Sequence, residues 1–167
     1  MAIELIVMDV DGCLTDGRIT YSEKGDELKS FDVKDGLAIA SWIRMGRHAA
    51  IITGRSSAIV ERRARELGIE HYYQGVRNKG EKLRELLESL GLAAENLAVI
   101  GDDLNDAPML EQAALSFTPA DGTEWVRRKV DVVLDRPGGR GAVREMIEIL
   151  LDREGLREEF YRLWSIA

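Results

Sequence analysis

The chain has 167 residues, and its 45% apolar content is enough to fill the core of one domain. Its 23 basic against 30 acidic side chains leave a net charge of −7, and there is no Lys/Arg-dense stripe, which excludes nucleic acid as a partner. No apolar run approaches the roughly 20 residues needed to span a bilayer, and Met1 leads straight into the first strand without a charged leader, so the expectation is a cytoplasmic protein with no membrane partner.

In chain order, Ile3 to Gly12 is an apolar, β-branched stretch that stops at two carboxylates, Asp9 and Asp11, and then at a glycine. In an extended chain, residues two apart point to the same side at roughly 6.6 Å separation, so both acids can face one pocket. Like charges that close are unfavourable unless a proton or a cation is shared. That points to a divalent metal, a raised pKa on one acid, or both, although the pattern alone could merely begin a surface turn. The one cysteine, Cys13, excludes an intrachain disulfide and thiolate metal clusters. With no histidine near it in sequence, it reads as small buried filler.

Arg18 to Tyr21 and Glu27 to Phe31 flank Ser22-Glu23-Lys24-Gly25-Asp26 and predict a hairpin with a glycine-containing turn. Asp35 to Met45 predicts a helix ended by Gly46. His48 to Ile52 predicts a second core strand, which again finishes at polar residues, Thr53-Gly54-Arg55-Ser56. A helix follows from about Ser57 to Leu67, stopped by Gly68, and then a short strand at Glu70 to Tyr73. Lys79 opens a further helix with Leu83, Leu86, Leu87 and Leu90 at helical spacing, closed by Gly91. Leu97 to Ile100 reads as a strand running directly into Gly101-Asp102-Asp103-Leu104-Asn105-Asp106. Leu115 to Thr118 and Val130 to Leu134 predict short strands, and Gly141 to Leu151 and Leu156 to Trp164 predict helices. The alternation predicts an α/β protein: a three-layer α/β/α Rossmann-like fold with a central parallel sheet and a β-hairpin flap at about residues 18–31. Residues 1–152 form the expected core and 153–167 a helical tail.

In an open parallel sheet, ligands bind beyond the carboxyl ends of the strands. Three of the predicted strands end in reactive side chains: Asp9 and Asp11, then Thr53, then Asp102 and Asp103. With Lys79 they supply carboxylates, a hydroxyl and an ammonium that could converge, a set suited to a magnesium ion and a phosphoryl group.

The order Asp-x-Asp-Gly, Thr-Gly-Arg, Lys and Gly-Asp-Asp-x-x-Asp resembles the four motifs of the haloacid dehalogenase superfamily of phosphatases, over nearly the whole chain. The resemblance implies that Asp9 is the nucleophile, forming an aspartyl-phosphate, and that Asp11 protonates the leaving alcohol and then deprotonates the hydrolytic water. It implies that Thr53 holds the phosphoryl oxygens, helped by Gly54, Arg55 and amides at the start of the following helix, and that Lys79 neutralises the nucleophile and the transferring group. The implied Mg²⁺ ligands are the Asp9 side chain, the Asp11 backbone carbonyl and the Asp102 side chain, with Asp103 orienting metal-bound water. Asp106 stays open between orienting Lys79 or a metal water and completing the dipole at a helix start.

Members of this superfamily usually carry a cap domain between the first and second or the second and third motifs, and neither gap leaves room for one here. An open site implies closure by a neighbouring subunit, and capless members form tetramers, so a homotetramer is expected. The segments Gly25 to Gly36 and Gly138 to Glu145, with Tyr73-Gln74-Gly75 ahead of Asn78-Lys79, look like those of capless members acting on phosphorylated sugar acids. The implied reaction frees the terminal hydroxyl of an eight-carbon sugar acid of lipopolysaccharide synthesis; a nine-carbon sialic-type 9-phosphate stays open as the alternative. The substrate carboxylate calls for an arginine fork, and Arg140 in its glycine-rich setting is the first candidate, with Lys34 and Arg55 as further ones. Lys34 stands where relatives often carry an arginine.

Leu156, Phe160, Leu163 and Trp164 share a helical face that either packs on its own domain or reaches a neighbour's site. On the second reading, deletion after Asp152 lowers turnover and leaves the fold intact. From a different class, a phospho-accepting receiver domain groups similar residues, but its acceptor Asp follows a middle strand, where this chain has Thr53. A catalytically silent regulatory subunit would not need the complete pair Asp9 and Asp11.

Overall fold

The computed structural model describes residues 2–166; Met1 and Ala167, the outer ends of the expected core and tail, lie outside the described residues. Strand β1 (Leu5–Met8) runs into a wide turn at Val10–Leu14, and the hairpin strands β2 (Thr20–Tyr21) and β3 (Glu27–Leu28) follow. Helix α1 (Val33–Arg44) leads to β4 (His48–Ile52), α2 (Ala58–Leu67) to β5 (His71–Tyr73), and α3 (Lys79–Leu90) to β6 (Leu97–Ile100). After them come α4 (Ala107–Leu110), β7 (Leu115–Thr118), α5 (Glu124–Lys129), β8 (Val132–Val133), α6 (Ala142–Glu154) and α7 (Arg157–Arg162).

The six-stranded sheet has the order β5-β4-β1-β6-β7-β8, parallel throughout, and β2 and β3 form a separate antiparallel pair. Alternate strand residues feed two cores. Ile6 and Met8 of β1, with Ala49 and Ile51 of β4, pack under α1, α2, α6 and α7, against Ile39, Trp42, Ala64, Met146 and Leu150. Leu5 and Val7, with Ala50 and Ile52, pack under α3, α4 and α5, against Leu83, Leu86, Met109 and Val126. A strand buried on both faces has no reason to alternate with polar residues, which is why β1 and β6 read as unbroken apolar runs. Each fully buried Leu, Ile or Val contributes about 1.5–3 kcal/mol relative to exposure. Among the described residues no helix is long and apolar enough to cross a membrane.

The helix boundaries follow local chemistry. The Asp32, Ser57 and Asn78 side chains accept hydrogen bonds from the amides of Lys34, Ile59 and Glu81 at the starts of α1, α2 and α3. Gly68, Gly91 and Gly155 end α2, α3 and α6 in the left-handed conformation that glycine adopts without strain.

Four differences from the sequence reading stand out. The first strand ends at Met8, so Asp11 lies in the following turn (φ −72°, ψ 114°) instead of two residues along an extended strand. The hairpin is at the expected place, but only two residues of each arm are paired. Helices α4 and α5, of four and six residues, are too short to show a 3.6-residue period. The tail is continuous with the core: α6 crosses the expected boundary at residue 152, and Phe160 of α7 is 2% exposed. Trp164 Nε1 donates to Ser41 Oγ at 3.1 Å, and Arg44 stacks on the same ring at 5.4 Å, so the tail packs on its own α1. Deletion after Asp152 therefore removes part of the core, and the expectation of an intact fold is revised.

Candidate active site

Strands β4, β1 and β6 are neighbours, and their carboxyl ends carry Thr53, Asp9 and Asp102. Strand order reverses here: β4 and β5 extend the sheet to one side of β1, and β6, β7 and β8 extend it to the other. Connecting segments leave a crevice at such a point, and a cavity of about 240 Å³ lies there, lined by Asp9, Asp11, Gly17, Thr53, Gly54, Arg55, Asp102, Asp103 and Asn105.

Asp9 is 5% exposed and Lys79, the first residue of α3, is 1% exposed. Lys79 Nζ donates to Asp9 Oδ1 at 3.1 Å and to Asp106 Oδ1 at 2.7 Å. The second oxygen of Asp106 accepts from the amides of Asp102 at 2.9 Å and Asp103 at 3.2 Å. One fully buried carboxylate thus contacts both the lysine and the loop that presents Asp102, so Asp106 makes contacts of both kinds left open for it: to Lys79, and to the backbone amides that open the Leu104–Asp106 turn. Burial pulls the Lys79 ammonium down, but Asp9 and Asp106 outweigh it and its pKa ends above the usual value.

Burial, and then the Asp106 charge, push the Asp9 carboxyl up to about 6, with Lys79 acting against them. Burial, and then the charges of Asp9 and Asp106, push Asp102 up to about 9. Oxygens of Asp9 and Asp102 lie within 4.8 Å of each other and of Cys13 Sγ. Gly12 makes the approach possible: its φ of +95° suits glycine, and a Cβ there would stand 1.8 Å from Asp102 Oδ2. The buried Asp9 carboxylate and the half-buried Asp102 carboxylate, whose pKa the Asp9 charge raises, form a hard oxygen donor set, which fits magnesium. Cys13 is fully buried, and burial, then Asp102, drive its thiol well above the usual value, so it adds no thiolate.

Asp11 is held differently. Lys29 Nζ, from the end of the hairpin, contacts Asp11 Oδ1 at 2.5 Å, and Arg55 Nε lies 3.8 Å from Oδ2. Thr53 is buried at the cavity wall and Asp103 is exposed, its Oδ1 accepting from the Leu104 amide at 2.7 Å. Lys29, Gly17 and Asn105 were not singled out in the sequence reading. No local pattern marks Lys29, because its partner lies 18 residues away across the hairpin.

Lys34 and Arg140 are exposed and line a second, larger cavity of about 600 Å³, with Arg136, Arg144, Glu145 and Glu148 on its walls. This cavity shares no lining residue with the first. The glycines before Arg140 serve backbone contact: a Cβ on Gly138 would stand 1.9 Å from the Gly12 carbonyl oxygen, and the Gly139 amide donates to the Cys13 carbonyl at 3.0 Å.

Residues 26–114 match the haloacid dehalogenase-like hydrolase family. The chain belongs to that family. A 3-deoxy-D-manno-octulosonate 8-phosphate phosphatase of Salmonella typhi is 45% identical over 157 residues, 94% of this chain and 84% of that protein. The enzyme of the same name from Moraxella catarrhalis, solved with magnesium, phosphate and KDO, is 42% identical and superposes with a TM-score of 0.93 over 97% of this chain and 93% of that one. The cobalt-bound enzyme of Haemophilus influenzae is 39% identical, with a TM-score of 0.88 over 92% of this chain and 90% of that one. As a haloacid dehalogenase-like hydrolase without a cap, this chain leaves its cavity walled by the loops that follow β1, β4 and β6.

Proposed function

We propose that this chain is a magnesium-dependent phosphomonoesterase that converts 3-deoxy-D-manno-octulosonate 8-phosphate and water to the free sugar acid and phosphate, in the lipopolysaccharide sugar pathway of the cytoplasm. The observation that carries the reading is the buried Asp9–Lys79–Asp106 chain opening into one cavity with Asp11, Thr53 and Asp102. The relatives described above, covered along most of their length, support the substrate.

Asp9 attacks phosphorus in line, the bond from phosphorus to the sugar oxygen breaks, and Asp11 gives its proton to that oxygen. Water then attacks the same phosphorus, Asp11 takes its proton, and the Asp9–phosphorus ester opens to release phosphate. With Asp9 pushed up only to about 6, the nucleophile is ionised at neutral pH. Lys79, tethered by Asp106, balances its charge, and Thr53, Gly54 and Arg55 hold the phosphoryl oxygens. The Asp9 and Asp102 carboxylates and the Asp11 carbonyl would hold Mg²⁺, with Asp103 beside them. The ion supplies charge neutralisation for the phosphoryl group, the main need of a transfer with little covalent demand on the protein.

A cavity of about 240 Å³ suits the phosphoryl end better than an eight-carbon sugar acid. A homotetramer, in which a neighbouring subunit closes the site, supplies the missing walls, and Arg140 and Lys34 are the cations available for the substrate carboxylate. The side chains assigned to the reaction all lie within residues 1–152, and the segment after them, the end of α6 and α7, packs on that core. The test is phosphate release over a panel of sugar-acid phosphates. The 8-phosphate is the expected best substrate, silent with chelator and restored by Mg²⁺. No release from any monoester in the presence of Mg²⁺ would overturn the reading.

A further inference from the structure

The two reacting carboxylates are anchored by different parts of the fold. Asp9 is tied to Lys79 at the start of α3, and through it to Asp106, inside the core. The partners of the Asp11 carboxylate among the described residues are two side chains, Lys29 and Arg55, and no backbone amide donates to it. The Lys29 side chain is only 1% exposed although both neighbouring residues, Leu28 and Ser30, are exposed. Its ammonium has been drawn inward between two acids, Asp11 and Glu27, the latter at 3.1 Å. Glu27 also reaches Arg55 at 3.5 Å, closing a ring of alternating charge between the hairpin, the turn after β1 and the loop after β4. A buried ammonium is tolerated only when such partners fix it, and the same contacts fix the partners.

We infer that Lys29 is a positioning residue for the proton-transfer step, by which the docked hairpin holds the Asp11 carboxylate in the orientation that faces the leaving oxygen. The inference rests on the reading of Asp11 as acid and base. It separates the two halves of the reaction: the core aims the nucleophile, and the flap aims the proton. The proton that moves is the one on Asp11, and Lys29 takes no part in the transfer itself. A leaving group that departs as a stable anion needs no proton, so loss of Lys29 is felt in proportion to the basicity of the leaving oxygen.

The test compares full-length wild type, Lys29→Met and Lys29→Arg by rapid quench in saturating Mg²⁺, reading alcohol release in the first turnover. Two esters are used, 3-deoxy-D-manno-octulosonate 8-phosphate and p-nitrophenyl phosphate. Lys29→Met is expected to slow the sugar ester by on the order of 10²-fold and the nitrophenyl ester by less than about 3-fold, with KM little changed, and Lys29→Arg to recover most of the loss. Equal loss on both esters, no loss, or a raised KM at unchanged kcat would overturn the inference, the last by making Lys29 a binding residue. Asp11→Asn tells the two levels apart. If Asp11→Asn is selective for the sugar ester and Lys29→Met is not, Lys29 has no positioning role. If Asp11→Asn itself slows both esters alike, the acid–base reading falls and the inference with it.

Discussion

Lys79 and Asp35 are both about 1% exposed, yet their surroundings oppose each other. Lys79 has two carboxylates within 3.1 Å, so its charge is balanced where it is needed beside the nucleophile. Replacing Asp9 with Asn keeps the volume and a hydrogen-bond acceptor for Lys79 but removes the nucleophile. Turnover is expected to fall by on the order of 10³–10⁵, measured by phosphate release, with the circular-dichroism melt showing a folded protein. Asp35, in the first turn of α1, takes one hydrogen bond on Oδ1 from the Arg144 amide at 2.8 Å, and its Oδ2 is buried without a partner. Burial is the main reason its carboxyl is pushed up from 3.8 to about 6. A folded-state pKa above the unfolded one means that the protonated form stabilises the fold below about pH 4, and that this contribution is lost as pH rises through about 6. Between pH 4.5 and 7.5, urea titrations should therefore show wild type losing about 2 kcal/mol relative to Asp35→Asn. A constant difference across that range would refute the assignment. The sequence marked Asp9, Asp11 and Lys79 by position, but Asp35 sat unremarked in a helix start, because its burial depends on α6 arriving from more than 100 residues away.

At the scale of elements, the strands and the longer helices were legible because burial on two faces leaves an unbroken apolar run and burial on one face leaves a helical period. Helices α4 and α5 escaped because four to six residues hold less than two turns. The tail helix α7 was legible as a helix, whereas its docking site was not: an apolar face names no partner. Phe160 meets the core beneath α6, and Arg144 lies over its ring at 5.8 Å. Phe160→Ala is expected to cost about 3–5 kcal/mol, seen as a lowered urea midpoint at unchanged slope. A loss under about 1 kcal/mol would mean that the tail is only loosely attached. The hairpin is the opposite case, with a few backbone pairs and a grip made by Lys29, Glu27 and Arg55 side chains, so its attachment is electrostatic where that of the tail is apolar.

For the whole molecule, the parallel order β5-β4-β1-β6-β7-β8 sets the strand ends bearing Thr53, Asp9 and Asp102 side by side, and like charge gathers where they meet. Burial and the nearby Asp9 charge push Asp102 up to about 9, a cost that a divalent cation between the two would relieve. Magnesium at 100 times its Kd should therefore stabilise the fold by about 2.7 kcal/mol, a rise in Tm of about 5–10 °C. Differential scanning calorimetry against a chelated sample measures it, and the shift should vanish in Asp102→Ala. An equal shift in that variant would place the cation elsewhere. The sequence by itself determined the α/β alternation, the central parallel sheet and the three reactive strand ends, because burial and turn chemistry act over a few residues and leave their mark in local order. Only the tertiary structure decided that Asp106 grips Lys79, that Lys29 grips Asp11 and that Arg140 and Lys34 open on a separate cavity. The two grips join residues 27 and 18 positions apart, Lys34 and Arg140 meet one cavity from distant parts of the chain, and such distances are set by how layers pack, which no local pattern encodes.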